Sequence, residues 1–323
     1  MKTVLLPLLL INFPFTLFPL APGFDMEAHR GGRDRRPENT LSAFAYATKL
    51  GVTTIELDTA VTKDRVVVVS HNPMLNHEIT RTEEGEYISE DKKIFIKDLT
   101  FEELQKYDVG MLNPKTRYGY IHRQQKPVPG EKIPALEEVF QLVQKSGNNS
   151  IRFNIEMKTY PNAPEYTIPC EEFADLLYKV IVKYNMEKRV TIQSFNWNNL
   201  KLFRAIAPHI PIGCLTVRTF RIKGELYNLQ PGKDGPSPWL AGLDYDSYKG
   251  NIPRMVKDFG GDIFSPYYKE VTKKEIEEAH RLGLRVVVWT VNRKDIMRKL
   301  ISWGVDGIIS DRPDVLLDVV KNR

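Results

Sequence analysis

The sequence predicts a (β/α)8 barrel, and three observations predict it. Short apolar runs alternate with amphipathic stretches from residue 24 to the C-terminus, and that alternation builds a parallel sheet flanked by helices. No Gly-x-Gly-x-x-Gly follows the first apolar run, so the fingerprint of a doubly wound dinucleotide fold is missing. Polar residues recur at the C-terminal ends of successive apolar runs, at His29-Arg30, Glu56-Asp58, Glu156-Lys158, Gln193-Ser194, Ser265, Trp289-Thr290-Asn292 and Asp311, which is where a barrel assembles its site.

The elements follow in order. Phe24 to His29 is a short strand ending in polar residues. Asn39 or Thr40 can cap a helix carrying Leu41, Phe44, Ala45 and Ala47 at helical spacing, and Gly51 ends it. Val52 to Asp58 is the second strand, and Arg65 to Ser70 is a short β-branched run best placed as a hairpin. From about 72 to 131 charge rises and Gly/Pro signals interrupt the pattern. This predicts a long insertion with one helix at Phe101–Tyr107, capped by Thr100.

Regular alternation then resumes. Helices are expected at Pro134–Lys145, Glu171–Tyr184, Trp197–Ile206, Lys273–Leu282, Lys294–Trp303 and Val315–Val320. Strands are expected at Ile151–Glu156, Val190–Gln193, Ile210–Leu215, Ile263–Ser265, Arg285–Thr290 and Gly307–Ile309. A second irregular stretch covers 219–248. With the hairpin set aside, about eight strand–helix units remain, which favours a barrel over an open sheet.

The polar strand ends suggest chemistry. Glu56 and Asp58 alternate, so they share a face of their strand while Ile55 and Leu57 turn into packing. Two crowded carboxylates repel, and a hard divalent cation is the simplest way to neutralise them. His29 and His71 can exchange protons beside such an ion. Taken singly, each residue has a plainer reading: a structural histidine, a solvated strand end, an ion pair at Glu156 and Lys158. Their convergence at strand ends turns the set into a candidate site. Trp289, at a strand end beside Thr290, is placed in the pocket wall, and Gln193 joins it as a substrate contact. Phe195 and Trp197 are assigned to packing, and His77, His122, His209 and His280 to surface or structural roles. Gly31 and Gly32 mark a tight backbone turn.

Bulk composition excludes some classes. The chain has 323 residues, 42% hydrophobic, and a formal net charge of +5. Lys and Arg are scattered among acids, which gives no nucleic-acid footprint. Lys2 precedes an uncharged apolar run from Val4 to Ala21, followed by Pro22-Gly23. This is the pattern of a cleaved signal peptide, 1–23, leaving a domain at 24–323 in a secreted or periplasmic setting with no stable membrane anchor. Pro7, Pro14 and Pro19 weaken the alternative of a spanning anchor. The two cysteines, Cys170 and Cys214, are expected to be free, with Cys214 in a core strand.

His29-Arg30-Gly31, Pro37-Glu38-Asn39-Thr40, Ile55-Glu56-Leu57-Asp58, Val68-Val69-Ser70-His71, Asn154-Ile155-Glu156-Met157-Lys158, Gln193-Ser194-Phe195 and Trp289-Thr290-Val291-Asn292 occur in that order. Together with Ile133-Pro134-Ala135-Leu136 and Gly304-Val305-Asp306-Gly307, they resemble the glycerophosphodiester phosphodiesterase family over about 24–315. Asp108-Val109-Gly110 and the long insertion resemble its bacterial periplasmic branch. The resemblance implies a TIM barrel that hydrolyses glycerophosphodiesters to glycerol 3-phosphate and an alcohol. It implies one divalent cation on Glu56, Asp58 and Glu156, calcium or magnesium, with an extracytoplasmic setting tilting toward calcium. It implies His29 and His71 as the acid/base pair and Arg30 and Lys158 as phosphate-contacting cations. Asn72 departs from the family's usual acid after this histidine, and Arg65 from its usual glycine. The attacking group stays open between water and the glycerol 2-hydroxyl. A lyase on the same barrel, releasing a cyclic phosphate, is the alternative.

Overall fold

The computed structural model describes residues 23–222 and 225–322. The expected signal peptide, apart from Gly23, lies outside the described residues. Among those residues no helix is long and apolar enough to cross a membrane.

Eight parallel strands close into a barrel. They are β1 (Asp25–Ala28), β2 (Thr54–Val61), β4 (Arg152–Met157), β5 (Val190–Ser194), β6 (Ile212–Thr216), β9 (Ile263–Pro266), β10 (Arg285–Val288) and β11 (Gly307–Ser310). β1 pairs with both β2 and β11, which closes the ring. β3 (Val67–Val69) pairs antiparallel with the end of β2, as the hairpin expectation required. A two-residue pair, β7 (Arg221–Ile222) and β8 (Glu225–Leu226), sits in the loop after β6.

The outer helices are α1 (Leu41–Leu50), α4 (Leu136–Lys145), α5 (Cys170–Lys183), α6 (Trp197–Ile206), α7 (Ile252–Phe259), α8 (Lys273–Arg281), α9 (Lys294–Ser302) and α10 (Pro313–Lys321). Local chemistry sets their ends. The Thr40 hydroxyl accepts from the Ala43 amide at the start of α1, and Gly51 closes that helix at φ +80°. Thr272 and Glu275 form a capping box on α8. α4 buries Leu136, Val139, Phe140 and Val143, the i, i+3, i+4, i+7 stripe of a helix on a core. Phe140 packs edge-on against Phe153 of β4 with ring centroids 5.0 Å apart, both fully buried. Truncating such a side chain to alanine costs about 3–5 kcal/mol.

Helix α7 differs from the sequence reading, which has no helix there. That reading assigns residues 249–262 to no element. In fact Asn251 accepts from the Arg254 amide and Pro253 occupies the first turn, where its missing N–H costs nothing. The insertion also differs in kind. Leu75, Ile88, Ile96, Leu104, Val109 and Ile133 close a satellite core against Ala60 and Val68 of the hairpin. It contains α2 (Phe101–Leu104) and α3 (Arg117–Ile121). Cys170 and Cys214 are free, as expected.

The barrel interior is split. Toward β9–β11 it is filled by Ile263, Val287 and Ile309, with half-buried Trp289 on top. Along β1, β2, β4 and β5 it holds Glu27, Glu56, Asp58, Asn154, Glu156 and Gln193, all at least nine-tenths buried. Buried polar groups on that scale persist only when paired.

Candidate active site

The first turn after β1 shapes the site. Arg30, Gly31 and Gly32 take positive φ values of 52°, 80° and 97°. A Cβ at Gly31 would lie 2.6 Å from the Ala43 Cβ, so only glycine lets the turn press onto α1. The coil aims the Arg30 amide at Glu56 Oε2, 2.9 Å away. Its guanidinium donates to Glu38 Oε1 at 2.8 Å, and Nε lies 3.2 Å from Asp58.

His29 Nδ1 lies 2.5 Å from Asp311 Oδ1. Although burial opposes it, Arg33 and His29 hold the Asp311 carboxyl well below the usual range. It is therefore ionised and accepts the Nδ1 proton, which leaves Nε2 bare, 4.0 Å from Glu56 Oε2. Burial and then Arg33 pull the imidazole down to about 4. His71 follows β3, with Nδ1 2.7 Å from Asn72 Oδ1. An amide oxygen can only accept, so Nε2 of His71 is bare too. Burial, then Arg30 and Lys158, hold His71 well below its ordinary value.

The carboxylates come from register. Asp58 of β2 stands opposite Glu156 of β4, and Glu56 lies one pleat earlier on the same face. One oxygen from each of Glu56, Asp58 and Glu156 lies within 4.8 Å of the others. Lys158 Nζ is 2.8 Å from Glu156 and 3.3 Å from Asp58. Burial and Asp58 push Glu56 well above the usual carboxylate range. Burial raises Glu156 to about 7 even against Lys158. Only Asp58, facing Lys158 and Arg30, is held low.

The trio thus exceeds the positive charge around it. Buried hard oxygen donors that resist ionising together are the donor set a Ca²⁺ or Mg²⁺ ion suits. The residues present fit a divalent cation.

These groups open into a cavity of about 900 Å³ lined by His29, Arg30, Glu56, His71, Glu156, Lys158, Gln193 and Trp289. Of the nine residues singled out from the sequence, Asp58 alone does not line it and sits 1% exposed beneath the others. Trp289 stands in the wall as expected, its Nε1 donating to the Ser265 carbonyl at 2.9 Å. Gln193 also lines the cavity, but its amide is engaged by Glu56 and Asn154. Phe195, assigned to packing, is a wall residue as well, with Lys158 Nζ 5.7 Å from its ring centroid. Trp197 is fully buried, as assigned.

Sequence reasoning missed the partnerships of the outer ring. Arg33 chelates Asp311 through Nε at 2.6 Å and Nη2 at 3.3 Å. Asn292 Nδ2 donates to Asp311 Oδ2 at 2.6 Å. From the insertion, the Tyr118 hydroxyl donates to Glu38, and His122 bonds Asp34, which Arg312 also holds. His122, assigned to the surface or to a structural role, is buried and bonded to Asp34, and it also lines the cavity. Its only sequence signal was a position near aromatic residues in a loosely patterned loop.

A family model described as the glycerophosphoryl diester phosphodiesterase family matches residues 29–315. A glycerophosphodiester phosphodiesterase of Caldanaerobacter subterraneus subsp. tengcongensis is 34% identical over 298 residues, covering 91% of this chain and 96% of that protein. The crystal structure of a putative glycerophosphoryl diester phosphodiesterase from Silicibacter pomeroyi superposes with a TM-score of 0.80 at 30% identity, covering 93% of this chain and 94% of that one. An Oleispira antarctica phosphodiesterase solved with sn-glycerol-3-phosphate shares the fold at TM-score 0.65 and 20% identity, over 92% and 96% of the chains. The barrel, the order of its strand-end residues and these matches agree, and the chain belongs to the glycerophosphoryl diester phosphodiesterase family.

Proposed function

We propose that the protein hydrolyses glycerophosphodiesters to sn-glycerol 3-phosphate and an alcohol, and that it needs one divalent cation to do so. The observation that carries this reading is the buried Glu56–Asp58–Glu156 trio at the base of a cavity that two histidines with bare Nε2 atoms line, in a chain of this family.

Glu56, Asp58 and Glu156 would hold the cation. When bound, it supplies charge neutralisation and polarisation at a phosphoryl oxygen. Arg30 and Lys158 supply further positive charge to the anionic diester, both held protonated by their carboxylate neighbours despite burial. His29 and His71 form the acid/base pair. His29 is the better proton acceptor, because the Asp311 carboxylate stabilises the imidazolium that forms. His71 has a bare Nε2 at rest, so it first takes up a proton there from solvent in the open cavity, and neutral Asn72 with the two cations then favours passing that proton to the departing oxygen. Each such transfer is worth about 10²–10⁴-fold. Calcium suits the oxygen-only donor set, and the charged-then-apolar N-terminus supports export by a cleaved signal peptide.

The test is phosphorus NMR of glycerophosphocholine incubated with the protein and with His29→Ala. Glycerol 3-phosphate formed by the wild type and not by the variant supports the reading. A cyclic phosphate as sole end product, or turnover unchanged in His29→Ala, contradicts it.

A further inference from the structure

A hydrogen-bonded chain runs through the barrel interior to one of the three carboxylates. Glu27 of β1 sits one layer below the site, beside Thr54 of β2. Its Oε2 accepts from Asn154 Nδ2 at 2.8 Å. The second proton of the same nitrogen goes to Gln193 Oε1 at 3.0 Å. Gln193 Nε2 then donates to Glu56 Oε1 at 2.9 Å. Three strands, β1, β4 and β5, contribute one link each, and Glu27, Asn154 and Gln193 are 3%, 6% and 2% exposed.

The chain has a direction. Each amide has a donor end and an acceptor end, so fixing one amide fixes the next. For Gln193 to present N–H to Glu56, its oxygen must face Asn154, and Asn154 must donate. Asn154 Nδ2 has two protons and needs two acceptors. Gln193 is one and Glu27 is the other. Asn154 Oδ1 is buried without a hydrogen-bond partner, so nothing on its far side sets the orientation. Were Asn154 inverted, that oxygen would face Gln193, and Gln193 would turn its own oxygen onto Glu56. An oxygen against a carboxylate oxygen repels and would swing Glu56 out of the trio.

We propose that Glu27, which touches neither the cavity chemistry nor the trio, is a positioning residue: through Asn154 and Gln193 it sets the polarity of the hydrogen bond that holds Glu56 ready for a divalent cation. This rests on the cation reading above. A carboxyl oxygen accepts whether or not the group holds a proton, and so does an amide oxygen. The device therefore needs an acceptor at position 27 rather than a charge.

The experiment is isothermal titration of Ca²⁺ and of Mg²⁺ into metal-stripped protein, without substrate. The panel is the wild type, Glu27→Leu, Glu27→Gln, Gln193→Leu and the double variant Glu27→Leu/Gln193→Leu. Outer partners of metal ligands typically change affinity by about 10–100-fold. Glu27→Leu is expected to weaken binding by about tenfold, and Glu27→Gln to stay near the wild type. The double variant is expected to bind no more weakly than Gln193→Leu alone, since both cut one chain. A packing defect would instead multiply with the Gln193 loss. Asn154→Leu cuts the same chain one link on and carries the test if Glu27→Leu does not fold. Unchanged affinity in the chain-cutting variants, or losses that multiply, overturns the proposal. Wild-type turnover measured alongside separates the two readings. A wild type that binds metal and turns over beside an unaffected Glu27→Leu sinks the positioning role alone. A wild type that neither binds metal nor turns over sinks both.

Discussion

His29 and Asp311, 282 residues apart in sequence, are joined by a 2.5 Å hydrogen bond across the seam where β1 meets β11. The bond fixes which imidazole nitrogen carries the proton, and it ties the chemistry of the first strand to the closure of the last. Asp311 also takes Arg33 and Asn292, so its carboxylate is fully used and cannot rotate away.

Asp311→Asn should therefore damage two things at once. The histidine loses the partner that sets its tautomer, and kcat is expected to fall by about 10²-fold or more. Arg33 loses its counter-charge in a buried setting, at a cost of about 3–5 kcal/mol. Steady-state kinetics and denaturant melts of the variant check both. Unchanged kcat in a folded Asp311→Asn protein would remove His29 from proton transfer.

Tyr118 reaches in from the insertion to Glu38, which grips Arg30. Tyr118→Phe removes the hydroxyl and loosens that grip without touching substrate chemistry. One such hydrogen bond is worth about 1 kcal/mol, so KM should rise about fivefold with a smaller change in kcat. A fall in kcat at constant KM would show that the insertion serves the reacting groups instead.

Gly31→Ala tests the turn. The new Cβ would press within 2.6 Å of Ala43 at a φ of +80°. Strain of about 1–3 kcal/mol is expected, read as a lower thermal midpoint. An unaltered midpoint would mean that the turn can relax away from α1.

The barrel interior should give stability a sign that depends on pH. Burial and then Asp25 push Glu27 up to about 8 in the folded chain, above the ordinary glutamate value of 4.5. The folded state then binds a proton more tightly than the unfolded one, so this contribution is full below 4.5 and fades as pH rises to 8. Asp34 has the opposite sign. His122 and Arg312 hold its carboxyl below 3.8 against burial, so its contribution is present above that value and lost as pH falls through the depressed one. Thermal midpoints across pH should lose slope between 4.5 and 8 in Glu27→Gln, and below 4 in Asp34→Asn. Slopes identical to the wild type would refute these assignments.

Much of this was legible in the sequence, and the division has a physical cause. Strand alternation makes Glu56 and Asp58 neighbours on one face, and a parallel barrel gathers strand ends, so His29, His71, Glu156 and Lys158 could be grouped before any coordinates. Partnerships across the seam could not. Asp311 was visible as one more polar strand end, but its bond to His29 depends on closure. His122 and Tyr118 lie in an insertion whose periodicity is broken by turns, so their inward direction depends on the satellite core of Leu75, Ile96 and Leu104. Gln193 looked like a substrate contact because sequence gives no orientation to an amide, and the structure spends it on Glu56 and Asn154. Helix α7 escaped because Pro253 signals a break in mid-helix and a start in the first turn, and sequence alone did not distinguish them.

The most direct measurement is glycerol 3-phosphate release from glycerophosphocholine by metal-stripped protein, titrated with Ca²⁺ and with Mg²⁺, for the wild type and for Glu156→Gln. Burial raises Glu156 to about 7, so its carboxylate should ionise fully only with an added cation beside it. Activity should be absent after stripping, return with one divalent ion per chain, and need far higher metal in Glu156→Gln. Full activity in the stripped wild type, or the same metal dependence in both proteins, would contradict a cation held by Glu56, Asp58 and Glu156.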